Sequence, residues 1–237
     1  MAGRRVENRL AGRKERSRGV SAVSAGLLHD SAGGQVEVFP SGDRVAGVDE
    51  AGRGSLAGPV VAAAVILPAD VVLPGLTDSK LLSPAARTRL AEAIRAVAVA
   101  YAVAAVEASE IDATDILRAT LQAMASAVRG LSVGPKLVLV DGNVLPPLAV
   151  PARAVVRGDR LVPAISAASI LAKVARDATM DEWGLRFPVY GFSRHKGYGT
   201  AAHLASIVLH GPCPIHRKTF AGVREHLDGP GGQGSLW

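Results

Sequence analysis

Residues 45–67 read VAGVDEAGRGSLAGPVVAAAVIL, and this stretch decides the fold. Two apolar runs of β type, 45–49 and 60–67, flank a glycine-rich corner, which predicts two strands joined by a tight loop. Asp49 and Glu50 stand side by side at the end of the first run. Adjacent buried carboxylates repel each other unless a cation is present, and glycine lets a backbone approach a ligand closely. The stretch therefore suggests a metal ion acting on a phosphate group; a polar strand end followed by a flexible turn is the alternative.

The glycine corner also resembles two nucleotide-binding motifs, and neither fits. Residues 52–57 match G-x-G-x-x-A, the dinucleotide-binding fingerprint, which requires a helix to begin at the glycines. Gly58 and Pro59 interrupt such a helix, and two acids before the turn would repel a pyrophosphate. Because no Gly-Lys-Ser/Thr follows the glycines, a phosphate-binding P-loop is excluded as well.

Composition favours one sizeable domain, alone or with a small extra element. Of the 237 residues 49% are apolar, which is enough to form a proper core. The single cysteine, Cys213, excludes an internal disulfide and a cysteine-built zinc site. No uninterrupted apolar run has membrane-spanning length, and no apolar stretch near the N-terminus resembles a signal peptide. We therefore expect a cytoplasmic protein that does not associate with membranes.

Positive charge is concentrated near the N-terminus. Residues 1–18 carry seven basic and two acidic side chains, a net charge of +5 out of +6 for the whole chain. A basic segment without hydrophobic periodicity predicts disorder and can add affinity for polyanions; a transit peptide or a misassigned start are alternatives. We predict a disordered basic leader over 1–43, one domain over 44–228 and a disordered tail over 229–237.

Strands and helices alternate after the glycine corner. Further apolar runs predict strands over 97–106 and 136–140, and periodic or apolar stretches predict helices over 109–129, 164–183 and 200–210. A cluster of strands followed by alternating strands and helices indicates a mixed α/β sheet with helices on its faces.

Two further acids stand at informative places. Asp141 follows the apolar run that ends at residue 140, where carboxylates of neighbouring strands converge on one sheet edge, although Asp-Gly is also an ordinary turn. On the helix beginning at residue 164, one sector of roughly 80° carries four polar side chains: Ser166, Ser169, Lys173 and Asp177. A surface pair between Lys173 and Asp177 is the alternative, but it leaves the serines unexplained.

Four acids would then form an oxygen-only cluster: Asp49, Glu50, Asp141 and Asp177. Mg²⁺ and Mn²⁺ prefer such ligands, and two ions would activate a water and stabilise the leaving oxygen of a phosphodiester. Residues 192–200, FSRHKGYGT, could contact a phosphate backbone and a sugar or base face, or could simply cap the next helix. Residues 212–219 could touch a backbone or merely close the domain. We interpret His203 as a helix-surface residue without a role.

Six ordered blocks of sequence resemble bacterial type 2 ribonuclease H, the ribonuclease HII family. The blocks extend over most of the predicted domain, from about residue 45 to about residue 226: GVDEAGRG at 47–54, LAGPV at 56–60, DSKLL at 78–82, VDGN at 140–143, AASILAKVARD at 167–177 and HKGYGT at 195–200. Ser55 stands where proline is frequent in the family. The related type 3 enzymes usually lack arginine between the two glycines, so Arg53 favours type 2.

The resemblance implies a ribonuclease H-like mixed sheet flanked by helices, with a C-terminal helical extension. It implies an endonuclease that hydrolyses RNA paired with DNA and also cuts 5′ of single ribonucleotides embedded in duplex DNA, in repair and replication. Two divalent ions, Mn²⁺ or Mg²⁺, would take part, and the products would carry 3′-hydroxyl and 5′-phosphate ends. The catalytic and metal-binding residues carried over by position are Asp49, Glu50, Asp141 and Asp177.

The resemblance also implies substrate contacts. The loop that reads the 2′-hydroxyl at an RNA–DNA junction is matched by Gly52, Arg53 and Gly54, and the aromatic ring on the following deoxyribose by Tyr198. Candidates for phosphate contact or metal support are Lys80, Ser169 and Lys173. We expect a monomer whose partners are RNA–DNA hybrids and ribonucleotide-containing duplex DNA. The rivals are another nuclease or recombinase of the same superfold, which should lack the Gly-Arg-Gly loop, and a non-catalytic nucleic-acid-binding protein, which has no reason to keep four acids.

Overall fold

The computed structural model describes residues 26–29, 35–42, 44–76 and 82–227. The chain divides into two compact units, Met1–Pro40 and Ser41–Trp237. In the first unit, strand β1 (Gly26–His29) pairs antiparallel with β2 (Gln35–Val38), and both strands lie within the predicted leader, where the sequence had indicated none. Residues 1–25, 30–34 and 43 of that leader, the predicted tail and Lys80 lie outside the described residues.

The second unit contains one five-stranded sheet and the helices that flank it. Its strands are β3 (Val45–Ala51), β4 (Val60–Ile66), β5 (Ala100–Val106), β6 (Leu137–Asp141) and β7 (Ala152–Val155). Its α-helices are α1 (Pro84–Val97), α2 (Ala108–Ala113), α3 (Ile116–Arg129), α4 (Gly158–Leu161), α5 (Pro163–Arg186), α6 (Phe192–His195) and α7 (Ala201–His210), with 3₁₀ turns at Pro188–Tyr190 and Arg224–His226. In the part of the chain that the structure describes, no helix is long and apolar enough to cross a membrane.

The sheet is mixed, as predicted. Its strand order is β5-β4-β3-β6-β7. The pairs β5–β4 and β4–β3 are antiparallel, whereas β3–β6 and β6–β7 are parallel. The two parallel pairs bring the carboxyl ends of β3, β6 and β7 to one edge of the sheet, which is where ligands bind in α/β proteins.

Helices cover both faces of this sheet, because successive strand residues point to opposite sides. Val48 and Ala64 belong to the apolar core shared with α3, and Ala63 belongs to the core shared with α1 and α5. At Gly47 the start of α5 approaches the strand so closely that a Cβ would lie 2.2 Å from a backbone carbon of Ala164. The glycine therefore allows the contact that seats α5 against β3.

The structure differs from the prediction at one helix and at one strand. The single helix predicted over 109–129 is two helices, because the side chain of Asp115 accepts a hydrogen bond from the N–H of Arg118 (2.8 Å) and starts α3 anew. The short strand β7 was not predicted, since Arg153 interrupts its apolar character. The other predicted strands and helices occur, with ends shifted by up to three residues.

Candidate active site

The sheet register brings the first three predicted carboxylates together. Val48 of β3 lies beside Val140 of β6, so Asp49 and Asp141 follow at the same edge. Asp49, Glu50 and Asp141 line one cavity of about 240 Å³. Asp49 is 6% exposed, so its charge is largely removed from water.

These carboxyl groups disfavour one another's ionised forms. Burial raises the pKa of Asp49 well above its ordinary value, and the charges of Glu50 and Asp141 raise it further. Hydrogen bonds from the Ser169 hydroxyl and from the N–H of Glu50, 2.7 Å from Oδ1, act in the opposite direction. Burial also raises the pKa of Glu50, opposed by Arg53, whose Nη1 lies 3.7 Å from Oε1, and reinforced by Asp141. A cation at this edge would relieve the repulsion.

The structure adds a fourth acid that the sequence prediction missed. Asp159, 7% exposed at the start of α4, lines the same cavity, and its N–H lies 3.4 Å from Oδ1 of Asp141. Its backbone carbonyl accepts a hydrogen bond from the buried hydroxyl of Ser166 on α5. The available signal was an acid in the short connection between β7 and an apolar helix, but α4 has only four residues and no periodicity reveals its direction. We name the group of Asp49, Glu50, Asp141 and Asp159 the carboxylate edge.

Asp177, the fourth acid predicted from the sequence, lies elsewhere. It lines a neighbouring cavity of about 520 Å³ and is absent from the lining of the carboxylate cavity. Its Oδ1 accepts a hydrogen bond from Nζ of Lys173 (2.6 Å), and its Oδ2 lies 3.5 Å from Nη1 of Arg87. The Lys173–Asp177 ion pair that had been the alternative interpretation is therefore present, although Lys173 itself lines the carboxylate cavity.

Most of the predicted substrate residues do line the carboxylate cavity. They are Gly52, Arg53, Gly54, Ser169, Lys173 and Tyr198. Tyr198 is 38% exposed, and the centroid of its ring lies 5.6 Å from Nζ of Lys173 and 5.4 Å from Cζ of Arg176. One wall of the cavity thus offers cations and an aromatic face beside the acids, a combination that suits a phosphate and a sugar.

Two fully buried arginines hold the glycine loop, and the sequence analysis assigned a role to neither. Arg217 donates to the carbonyls of Gly52 (2.7 Å), Arg53 (2.8 Å) and Gly58 (3.0 Å). Burial, followed by the charge of Arg176, lowers the pKa of Arg217 to about 9. Because C=O and N–H point in opposite directions in a trans peptide, the N–H groups of Arg53 and Gly54 are directed away from Arg217.

Arg176 does the same for the neighbouring segment. It donates to the carbonyls of Ala57 (3.1 Å), Pro59 (3.0 Å) and Lys196 (2.9 Å). Gly52 has a φ of 93°, and a Cβ there would lie 1.9 Å from Nε of Arg176. Only glycine accommodates both the backbone angle and the packed guanidinium at this position.

His203 is not the surface residue that the sequence suggested. It is fully buried, and its Nε2 lies 3.0 Å from Nε2 of His216, which is also buried. Its Nδ1 lies 3.0 Å from the carbonyl oxygen of Tyr198. Burial lowers the pKa of His203 to about 4 and that of His216 to about 3, so both rings are neutral at pH 7. We name Arg176, Arg217, His203 and His216 the platform.

The donor set of the carboxylate edge fits a hard divalent cation. Its members are all carboxylates, the ligands that Mg²⁺ and Mn²⁺ prefer, and burial, followed by the charge of neighbouring acids, raises the pKa of Asp49 and Glu50. Within residues 26–29, 35–42, 44–76 and 82–227, no three Asp, Glu, His or Cys side chains already converge on one point as ligands. Binding an ion would therefore require these side chains to turn toward it.

Comparisons with known proteins agree with this fold. A family model described as Ribonuclease HII matches residues 46–223. Ribonuclease HII of Verminephrobacter eiseniae is 58% identical over 190 residues, covering 80% of this chain and 90% of that protein. Ribonuclease H2 of Pyrococcus horikoshii superposes with a TM-score of 0.65 at 27% identity, covering 76% of this chain and 95% of its own. Ribonuclease HII of Archaeoglobus fulgidus, solved in a complex with PCNA, gives 0.64 at 26% identity, covering 81% and 98%. The predicted ribonuclease H-like fold is confirmed.

Proposed function

Because the chain belongs to the ribonuclease HII family and is a ribonuclease H acting on RNA–DNA hybrids, we propose that it also cuts 5′ of single ribonucleotides in duplex DNA. The products would carry 3′-hydroxyl and 5′-phosphate ends. The observation that carries the proposal is a single cavity in which a carboxylate edge faces a glycine loop and an exposed aromatic ring. The acids suit phosphodiester hydrolysis, and the loop and ring suit recognition of one sugar.

The carboxylate edge would hold the metal, with Asp159 in the place that the sequence had given to Asp177. When bound, Mn²⁺ or Mg²⁺, as two ions, would activate a water and stabilise the leaving oxygen. Ser169 holds Asp49 through a hydrogen bond and so limits the directions that this carboxylate can take. Asp177 would instead hold Lys173 beside the cavity through their ion pair, leaving the ammonium charge available to a substrate phosphate.

The glycine loop would recognise the 2′-hydroxyl. Only this group distinguishes RNA from DNA locally, and backbone N–H groups can donate to its oxygen. Arg217 supports this role, because its hold on the carbonyls of Gly52 and Arg53 leaves the following N–H groups directed away from it. Around Gly54 there is open space where a Cβ would stand, so a sugar can approach the backbone.

Tyr198 and Arg53 would complete the substrate contacts. The exposed ring of Tyr198 would pack on the deoxyribose that follows the ribonucleotide, where a 2′-hydroxyl would press against its face. The side chain of Arg53 is 50% exposed and would bind a phosphate, for which it is free to leave its 3.7 Å contact with Glu50. Tyr198 would then favour RNA–DNA junctions, whereas Arg53 would add affinity without specificity.

A duplex containing one ribonucleotide tests the proposal directly. The protein would be incubated with this duplex, with an all-DNA duplex and with an RNA–DNA hybrid, in Mn²⁺, in Mg²⁺ and in excess chelator. We expect a single cut 5′ of the ribonucleotide, no cut in the all-DNA duplex, and no activity in chelator. Cleavage of the hybrid without cleavage at the single ribonucleotide would refute the junction activity while leaving the ribonuclease H activity intact.

A further inference from the structure

The turn that carries Tyr198 has an unusual backbone. Lys196 has a φ of 51° and Gly197 a φ of 78°, both in the left-handed region. A Cβ at Gly197 would lie 2.6 Å from the carbonyl oxygen of Ala57, so the turn also lies tightly against the segment that follows the glycine loop. Left-handed backbone at a residue other than glycine costs free energy and persists where the surroundings hold it. The direction of the Tyr198 ring therefore depends on what supports this turn.

Besides Arg176, which donates to the Lys196 carbonyl, a chain of two buried imidazoles supplies part of that support. The N–H of Cys213 lies 2.9 Å from Nδ1 of His216, and since a backbone N–H can only donate, Nδ1 of His216 accepts. The Cys213 thiol at 3.1 Å stays protonated, because burial raises its pKa to about 12, so no thiolate charge lies beside this nitrogen. The proton of neutral His216 is then on Nε2, which donates to Nε2 of His203 (3.0 Å).

The chain ends on the aromatic residue of the proposed substrate site. With Nε2 of His203 accepting, its proton is on Nδ1, which donates to the carbonyl of Tyr198 (3.0 Å). The same turn is held from its other side by His195, whose Nδ1 accepts from the N–H of Gly197 (3.2 Å). The rings of His195 and His203 stack with centroids 4.4 Å apart. Each hydrogen bond in the chain thus has one direction, from Cys213 to Tyr198.

We propose that His203, oriented by His216, is a positioning residue that sets the place of the Tyr198 ring and thereby the preference for ribonucleotide–deoxyribonucleotide junctions. The inference rests on the proposed role of Tyr198. Neither imidazole touches the substrate: both are buried, and neither lines the carboxylate cavity. Their effect is exerted through one backbone carbonyl, so the hydrolysis step itself does not require them.

The matched pair His203→Asn and His203→Gln tests this role. The amide nitrogen of asparagine can take the position of Nδ1 and still donate to the Tyr198 carbonyl, whereas that of glutamine takes the position of Nε2 and cannot. The measured quantity is the ratio of kcat/KM on a single-ribonucleotide duplex to kcat/KM on an all-RNA hybrid. We expect His203→Asn to keep the wild-type ratio and His203→Gln to lower it by roughly fivefold, the lower end of an aromatic stacking contribution.

The ratio remains informative for a poorly folding variant, because the fraction of active protein cancels between the two substrates. Tyr198→Ala and the double variant Tyr198→Ala/His203→Gln complete the cycle, and the double variant should fall no further than Tyr198→Ala alone. If Tyr198→Ala lowers the ratio but His203→Gln does not, or if the two losses add, the positioning role is wrong and the role of Tyr198 stands. If Tyr198→Ala leaves the ratio unchanged, both fall together.

Discussion

The carboxylate edge and the platform border the same glycine loop but are built in opposite ways. At the carboxylate edge, burial and then neighbouring acids raise the pKa of Asp49 and Glu50, so the acids repel one another when ionised. In the platform, each guanidinium nitrogen of Arg176 and of Arg217 donates to a backbone carbonyl. The hydrogen bonds of the platform are thus complete in the free protein, whereas a cation at the carboxylate edge would relieve the repulsion among its acids. The platform side of the site is preorganised, and the carboxylate side is suited to binding a cation.

The largest effect is expected when an acid of the carboxylate edge is neutralised and compared with an acid outside it. Asp159→Asn keeps the shape of the side chain and removes a charge from the carboxylate edge. We expect kcat to fall more than about 100-fold, beyond what residues that merely support a metal ligand contribute. Asp177→Asn is the matched control and should stay within about tenfold of wild type, because it loses only its contacts with Lys173 and Arg87.

Steady-state assays of both variants over a Mn²⁺ titration would decide between the two acids. A fully active Asp159→Asn variant beside an inactive Asp177→Asn variant would restore the assignment made from the sequence and contradict the one made from the structure.

A side chain added to the glycine loop should separate folding from recognition. Gly54 lacks the positive φ of Gly52 and has open space where a Cβ would stand, so Gly54→Val should fold normally. The added methyl groups would, however, clash with a bound sugar and displace the substrate from the acids. A displacement of this kind lowers the rate about 100-fold. Gly52→Ala should instead lower the melting temperature, since its Cβ would collide with Arg176. A Gly54→Val enzyme that cleaves normally would mean that the loop is only a turn.

Replacing the guanidinium group of Arg217 should destabilise the platform without altering the carboxylate edge. Arg217→Met leaves the carbonyls of Gly52, Arg53 and Gly58 without their donor. We expect the free energy of unfolding to fall by at least about 1–3 kcal/mol, the cost of a single unsatisfied buried polar group. Arg217→Lys keeps the charge but cannot reach three carbonyls at once, so urea unfolding should show a similar loss. A fully stable lysine variant would show that charge, and not the hydrogen-bonding fork, matters at this position.

Lowering the pH should change the contributions of the two regions to the free energy of unfolding in opposite directions. His203 and His216 titrate near pH 4 and 3 in the folded protein, below the ordinary histidine value of about 6.5, so the unfolded chain binds more protons between these limits. Stability should therefore fall by up to about 1.4 kcal/mol per pH unit for each ring as pH drops below about 6.5. The pKa of Asp49 is raised in the folded protein, so its contribution to the free energy of unfolding should grow as pH falls through that pKa. Urea unfolding from pH 7.5 to 5 should show a shallower fall in His203→Asn and a steeper one in Asp49→Asn.

The smallest effect is expected at Ser55, between the two regions. Its hydroxyl is buried and has no hydrogen-bond partner in the part of the chain that the structure describes. Ser55→Ala removes this group without altering the backbone bridge to Tyr198, so thermal unfolding should show unchanged stability or a gain of up to about 1 kcal/mol. A clear loss of stability in this variant would mean that the hydroxyl has a partner after all.

The sequence by itself determined the strands around the glycine corner, the pairing of acids at a strand end and the residues of the glycine loop. These features are local: hydrophobic runs, adjacent charges and glycines leave their pattern within a few positions of one another. The approximate convergence of Asp141 on Asp49 also followed from where their strands end. The same local logic predicted a polar stripe on α5 correctly, but it could not tell whether Asp177 faces the acids or the cations beside it.

Only the tertiary structure decided which acid completes the carboxylate edge and what holds the glycine loop. Asp159 reaches the cavity through the parallel pairing of β6 with β7, and that pairing depends on a strand too short and too polar to predict. Arg217 binds the carbonyl of Gly52 across 165 positions of sequence. Every residue has a backbone carbonyl, so such a partner leaves no mark in the sequence. Buried polar networks of this kind are specified by packing, and their members become visible only when the chain has brought them together.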